Sequence, residues 1–394
     1  MGTFVGVGFS DHRNPAVAGK EAALTALERG GMTRPDFVFV FATVGYRQQL
    51  LISAIREATS GAPLCGCSGE GIITQETVTE TNFGVAVMAI SSDELRFDHV
   101  FVAGLENVAG AAGERLAAEV TPFLAPDNLA CLLFADGLAF NSEPFFSAFE
   151  GSLSKPLPLF GGLAGDNWSS RKTYQYYDDQ VISGGLSCVV LSGRGKFASG
   201  VNHGCVPVGS KRTITRGEGN VIREIDGIPA LDALKDYFED DWESEWSKTS
   251  LNLCLGFPTP DAIKGGYEEH IIRYMIDKDD GNGSVTIQSE ARDGSDVWIV
   301  RRDKELIREG LQAIADSIRN AVGDNKVKFI LQFECVGRGK VVFREQEKVA
   351  LIRTLQEEVG SDIPWLGFYS YGEIGPVKEL NCFHNFTSIV VAVY

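Results

Sequence analysis

Three short stretches of the chain pair glycines with an acid in one pattern: PLCGCSGEG (63–71), PLFGGLAGDNW (158–168) and PWLGFYSYGEIGP (364–376). In each, a glycine stands three residues after a proline (Gly66, Gly161, Gly367), and a glycine–acid pair follows (Gly69-Glu70, Gly165-Asp166, Gly372-Glu373). Glycine-rich turns let the backbone bend sharply or approach a ligand closely. A phosphate cradle does not fit, because a P-loop needs G-x-x-x-x-G-K-[ST], a Rossmann turn opens a helix, and an acid repels phosphate. Nor does a nucleophile elbow: Ser68 sits in GCSGEG, where Glu70 occupies the place of the last glycine of G-x-S-x-G. Two uses remain for Glu70, Asp166 and Glu373. They hydrogen-bond the backbone of their own turns, or they face a cleft and hold an ammonium group, with Trp168 offering a π face to the cation.

Other residues with chemical potential are scattered. The loop GRGK (337–340) follows an apolar strand and precedes a helix, so with Arg338 and Lys340 supplying positive charge it could hold a carboxylate on backbone N–H groups and the Arg338 guanidinium, with an exposed loop as the plainer reading. Cys335 beside it is a candidate reactive thiol if Arg338 lowers its pKa, with a core thiol as the plainer reading. Cys335 and Ser68 are therefore the residues an enzyme would use. Cys65 and Cys67 form a lone C-x-C, short of the ligands zinc needs. DKDDGNGS (277–284) lacks the glycine and glutamate spacing of a calcium loop and reads as a turn. YFEDDWESEW (237–246) reads as a solvated helix face.

The elements that position the turns recur. Strand, helix, strand, helix, strand, glycine turn and strand follow one another from TFVGVGF to FGVAVMAI, and again from LRFDHVFVAG to GGLSCVVLSG. A third copy runs from DVWIVRR to NFTSIVVAVY, after a divergent segment that begins at Phe197. The expected architecture is α/β, with mixed β-sheets and packed helices, in two domains: residues 1–195 with two units, and 196–394 with the divergent segment (196–290) and the third unit (291–394).

Composition narrows the function. With 36 Lys and Arg against 53 Asp and Glu, the net charge of -17 disfavours nucleic acid and anionic membrane. No stretch has the length or apolarity of a membrane span, the start lacks a signal-peptide pattern, and eight cysteines in 394 residues suit free thiols, so a cytoplasmic location is expected.

With the three turns, FECVGRG, GFYSYGEIGP and the closing FHNFTSIVVAV on the page, the chain resembles the FIST family along essentially its whole length. The resemblance implies a FIST N-type domain followed by a FIST C-type domain, acting as an intracellular ligand sensor in signal transduction. Amino acids or related small molecules would be the ligands. The signal would pass to a separate protein, such as a histidine kinase or a cyclic-dinucleotide enzyme, and a homo-oligomer is compatible. Gly66, Ser68, Glu70, Gly161, Gly165, Asp166, Trp168, Cys335, Arg338, Glu373 and His384 are the expected ligand-binding set, and no catalytic set is expected. One branch of the family is associated with haem and nitric oxide, and for that alternative haem b would take His203, in GVNHGCVP, as its axial ligand. His99, between Phe97 and Phe101, reads as a core histidine.

Overall fold

The strand FVFVFA (Phe37–Ala42) is apolar at every position, and its two faces go to different cores. Phe37, Phe39 and Phe41 point to a central cluster, while Val38, Val40 and Ala42 pack under helices Pro15–Gly30 and Gln48–Ala58. A period of two with both faces buried is what a strand between a helix layer and a second sheet requires. The computed structural model, which describes residues 2–105, 109–238 and 246–394, repeats this arrangement three times.

Each unit builds a sheet in the spatial order first, last, second, third strand. The second and third strands are parallel and the others antiparallel. The first unit uses Thr3–Ser10, Val85–Ser92, Phe37–Ala42 and Leu64–Ser68. The second uses Leu95–Ala103, Gly185–Gly193, Asn128–Ala135 and Leu159–Leu163. The third uses Phe197–Asn202, Ser388–Val393, Phe329–Cys335 and Trp365–Ser370. Two helices cover the outside of each sheet. The inner faces meet in a phenylalanine core drawn from all three units, with the Phe41 ring 4.4 Å from Phe368 and 5.2 Å from Phe134, and Phe134 6.3 Å from Phe333.

The third unit begins elsewhere than the sequence suggested. Its first strand is Phe197–Asn202, paired with Ser388–Val393 through Phe197 opposite Val393. The strand Asp296–Arg302 belongs instead to a separate eight-stranded antiparallel sheet, where it pairs with Cys205–Glu218 and Leu253–Pro258. That sheet is inserted between the third unit's first strand and its first helix, Lys304–Val322, so the strand next to the helix in sequence is not the one next to it in its own sheet. Asp303 caps that helix by accepting from the backbone N–H groups of Glu305 and Leu306. The 277–284 segment holds the turn, residues 280–283, between the paired strands Met275–Asp279 and Ser284–Ile287. Of the acidic–aromatic segment 237–246, residues 239–245 lie outside the described residues.

The glycine turns do not return the chain to its own sheet. After Leu64–Ser68 the chain crosses to the third unit, where Gly71–Thr74 pairs with Trp365–Ser370. After Leu159–Leu163 it crosses to the first unit, where Gln175–Tyr177 pairs with Leu64–Ser68. After Trp365–Ser370 it crosses to the second, where Glu373–Val377 pairs with Leu159–Leu163. Each sheet thus ends in a hairpin lent by another unit, in a closed cycle. Every crossing strand carries a glycine against the carbonyl of its parallel neighbour. A Cβ at Gly66 would lie 1.8 Å from the Val40 oxygen, at Gly161 1.8 Å from that of Leu133, and at Gly367 2.4 Å from that of Gln332.

Gly66→Ala is expected to cost about 3 kcal/mol or more, since neither backbone can give way, whereas Gly151→Ala, with nothing within 4 Å of the new methyl, should be neutral or slightly stabilising. Urea midpoints of the two variants check this, and equal midpoints would refute the close-approach role. The exchanged hairpins also predict that residues 1–195 alone bind a hydrophobic dye and self-associate, because the hairpin at 71–79 loses its sheet and Phe41 loses Phe368. A monomeric, cooperatively unfolding fragment would contradict the interlocked cycle.

Candidate functional site

The three crossovers meet and lock one another. Gly165 N–H donates to the Ser68 carbonyl at 3.0 Å, and Ser68 Oγ donates to the Gly165 carbonyl at 2.7 Å while accepting from Tyr174 N–H at 3.0 Å. Glu70 N–H donates to the Tyr369 carbonyl at 2.9 Å, Leu163 N–H to the Gly372 carbonyl at 2.8 Å, and Tyr371 N–H to the Leu163 carbonyl at 3.0 Å. All three acids are buried here.

Their bonding differs. Asp166 caps its own turn, accepting from Ser169 Oγ at 2.6 Å, from the N–H groups of Ser170, Arg171 and Lys172, and from Tyr371 Oη at 2.8 Å. Burial works against its charge, but these bonds outweigh it and hold the carboxyl below the usual range. Glu70 reaches across to the second unit's turn, where one oxygen accepts from the N–H groups of Asn167 and Trp168. For Glu70, burial wins over these bonds and the carboxyl is raised. Glu373 accepts from Ser370 Oγ and Thr387 Oγ1, both at 2.7 Å, and burial pushes it up to about 8.

Asn167, Trp168 and Ser170 are left-handed, with φ of 58°, 58° and 49°. Such a conformation costs a non-glycine residue roughly 1–2 kcal/mol, so bonds from elsewhere must fix it. For Asn167 and Trp168 they come from Glu70 of the first unit and Tyr371 of the third, whose Oη accepts from Trp168 N–H at 2.8 Å, and for Ser170 from Asp166 of its own turn. The indole, 5.8 Å from the Tyr371 ring, faces a cavity of about 960 Å³. The walls are the loop after the second unit's second strand (Leu138, Phe140), the crossover (Trp168, Tyr371), the inserted sheet (Tyr274, Ile276, Gln288) and the third unit's loop (Cys335, Gly337, Lys340).

Of the expected ligand-binding set, Trp168 and Cys335 line this cavity. Gly66, Gly161 and Gly165 are instead packing glycines; a Cβ at Gly165 would meet the Glu70 carboxylate at 2.9 Å. Ser68, Glu70, Asp166 and Glu373 spend their bonds on the crossovers and do not reach the wall. Arg338 is buried, with Nε donating to Glu334 Oε1 at 2.7 Å and Nη1 to the carbonyls of Asn202 and His203, so its fork is turned into the core rather than toward a ligand. Burial raises the Cys335 thiol well above its ordinary range, which keeps it protonated. Tyr371, Tyr274 and Gln288 were missed, and only Tyr371, inside a quoted motif, left any local signal.

The histidines are structural. His203 Nδ1 accepts from Cys205 N–H at 2.8 Å, which leaves the proton on Nε2, and that donates to the His270 carbonyl at 3.0 Å. Neither nitrogen is open to iron, so His203 does not fit an axial haem ligand. His384 Nε2 donates to the Gly375 carbonyl at 3.0 Å, and Nδ1 faces Tyr267 Oη at 3.2 Å. Burial lowers both imidazoles to about 3. His99 is half-buried beside Tyr177, 3.2 Å from Asp178. Among the described residues, no group of three or more His, Cys, Asp and Glu is placed to hold a metal, and no helix is long and apolar enough to cross a membrane.

Glu373 sets a pH dependence with a definite sign. Its carboxyl ionises near 4.5 in the unfolded chain and near 8 when folded. Between those values the folded protein holds a proton that the unfolded chain has lost, so this group's contribution falls as pH rises, by about 1.4 kcal/mol per unit. Melting temperatures from pH 5 to 9 should therefore move in favour of Glu373→Gln over the wild type as pH increases. Parallel curves would show that Glu373 is ionised in the fold throughout.

A model of the FIST N domain matches residues 36–228, and a model of the FIST C domain matches 230–376. An uncharacterized protein of Mycobacterium tuberculosis is 26% identical over 390 residues, covering 98% of each chain. One of Methanocaldococcus jannaschii is 25% identical over 361 residues, covering 83% of this chain and 67% of its own. Among solved structures, a chorismatase aligns over 100% of this chain and 99% of its own at 8% identity, with a TM-score of 0.38. FIST domains are associated with sensing in signal transduction. Two domain models in tandem across most of the sequence place the chain in the FIST family.

Proposed function

We propose that the chain senses a small molecule bound in the cavity beside Trp168, and that binding alters its contacts with a separate signalling protein. One observation carries the proposal: the indole that faces the cavity belongs to a strained turn held in place by bonds from two other units. A ligand pressed against Trp168 therefore acts on the junction where all three units meet. The inserted sheet supplies the opposite wall, so occupancy also ties that sheet to the repeated body. A ligand can shift such an arrangement only by as much as it prefers one state over another.

A thermal-shift screen of small organic acids, amines and amino acids against the whole chain tests this. A ligand at 100 times its Kd adds about 2.7 kcal/mol, which should raise the melting temperature by a few degrees. Trp168→Ala, which keeps the backbone bonds to Glu70 and Tyr371, should fold and lose most of that shift. A screen in which nothing stabilises the wild type, or in which the variant responds equally, would remove the cavity as the sensing site.

A further inference from the structure

A chain of hydrogen bonds in the wall fixes which chemistry the cavity offers. The backbone N–H of Tyr274 can only donate, and it donates to Asn385 Oδ1 at 3.1 Å. The Asn385 amide must therefore turn its NH₂ outward, and this donates to Gln288 Oε1 at 2.8 Å. Gln288 is left with its own NH₂ as the free end, so a side chain able to accept or donate is set here as a donor. Lys340 is the second donor. Its backbone N–H is anchored on the Glu80 carboxylate at 2.6 Å, while its ammonium has no ion pair or hydrogen bond among the described residues.

The rest of the wall agrees in sign. Among the described residues, no Asp or Glu lines the cavity, in a chain with 53 of them. Glu70 and Asp166 lie beyond Tyr371 with their bonds turned to the crossovers, and Glu290, next to the wall residue Ser289, is taken by Arg292 at 2.6 Å. The Arg302 guanidinium lies 5.2 Å from the Phe386 ring, with Nη1 and Nη2 donating to the carbonyls of Gly337 and Leu251. Phe140, Trp168, Tyr274 and Phe386 supply aromatic faces around this positive ground.

We infer that the ligand is a small organic anion, a carboxylate on an aromatic or apolar body, with its charge met by Lys340 and Gln288. The inference rests on the cavity being the ligand site, and it disfavours a ligand held mainly by an ammonium group, which would find no acid on the wall among the described residues. An oxygen anion between an ammonium and an amide NH₂ gains charge-assisted hydrogen bonds, and the aromatic faces bury its ring.

Calorimetric titration of the full chain with three probes sharing one ring tests this: 1-naphthoate, 1-naphthamide and 1-naphthylmethylamine. Naphthoate should bind at least tenfold more tightly than the amide, with the amine weakest. Lys340→Gln should erase most of naphthoate's advantage while leaving the amide unchanged, and Gln288→Glu, which keeps the acceptor for Asn385, should weaken naphthoate more than tenfold. Equal binding of acid and amide, tighter binding of the amine, or a naphthoate preference that survives Lys340→Gln overturns the anion assignment while leaving the cavity in place. If no probe binds, or binding is untouched by Trp168→Ala as well as by Lys340→Gln, the cavity itself is wrong and the inference falls with it.

Discussion

The closed exchange of hairpins is the constraint from which the rest of the molecule follows. A parallel pair of strands has its open edge where the second of them ends, and each unit covers that edge with a hairpin from a neighbour. To cross from one sheet to the next within a few residues, the chain must pass close to its parallel partner, which is why glycine stands opposite Val40, Leu133 and Gln332. It must also leave backbone polar groups unpaired at the point of crossing, where no ladder continues. Unpaired buried groups are costly, and the acids answer that need: Asp166 gathers four donors of its own turn, Glu70 two donors of another.

Cooperativity and sensitivity then come from the same place. The phenylalanine core is shared by three sheets, and each sheet is complete only with the hairpin lent by one neighbouring unit, so local opening of one unit exposes an edge in another. Yet the second crossover is longer than the other two, running from Ala164 to Tyr174 before pairing resumes, and holds three left-handed residues. It is the part of the junction with the most conformational choice. That it carries the indole facing a cavity of about 960 Å³ makes it the natural point for a ligand to act on the junction.

Much of this was legible in the sequence, for physical reasons that differ by feature. The repeat showed because strands buried on both faces must be continuously apolar, as in FVFVFA, and because the proline-to-glycine spacing is set by the crossing itself. The exchange did not show: two residues between strands read as an ordinary turn, and whether the second strand pairs at home or abroad depends on partners about 100, 200 or 300 residues away. The same distance hid the role of Glu70, whose partners are Asn167 and Trp168. Arg338 misled because its composition suggests an anion site, whereas Glu334, four residues before it, draws the guanidinium inward. The inserted sheet displaced the start of the third unit because a helix follows Asp296–Arg302 in sequence just as one follows the first strand elsewhere.

The distribution of charge completes the argument from fold to site. A chain this acidic repels anions at long range, and that repulsion is screened over about 10 Å in ordinary salt. Inside the cavity, what a ligand meets is the local wall, and there the insertion changes the balance. The repeated body contributes one acid or another to every crossover, and each accepts from backbone donors or hydroxyls there. The inserted sheet and the loop after Cys335 contribute Gln288 and Lys340, donors on a wall with no Asp or Glu among the described residues. A repeat that uses its carboxylates to hold itself together thus leaves the recognition of charge to the segment that interrupts it.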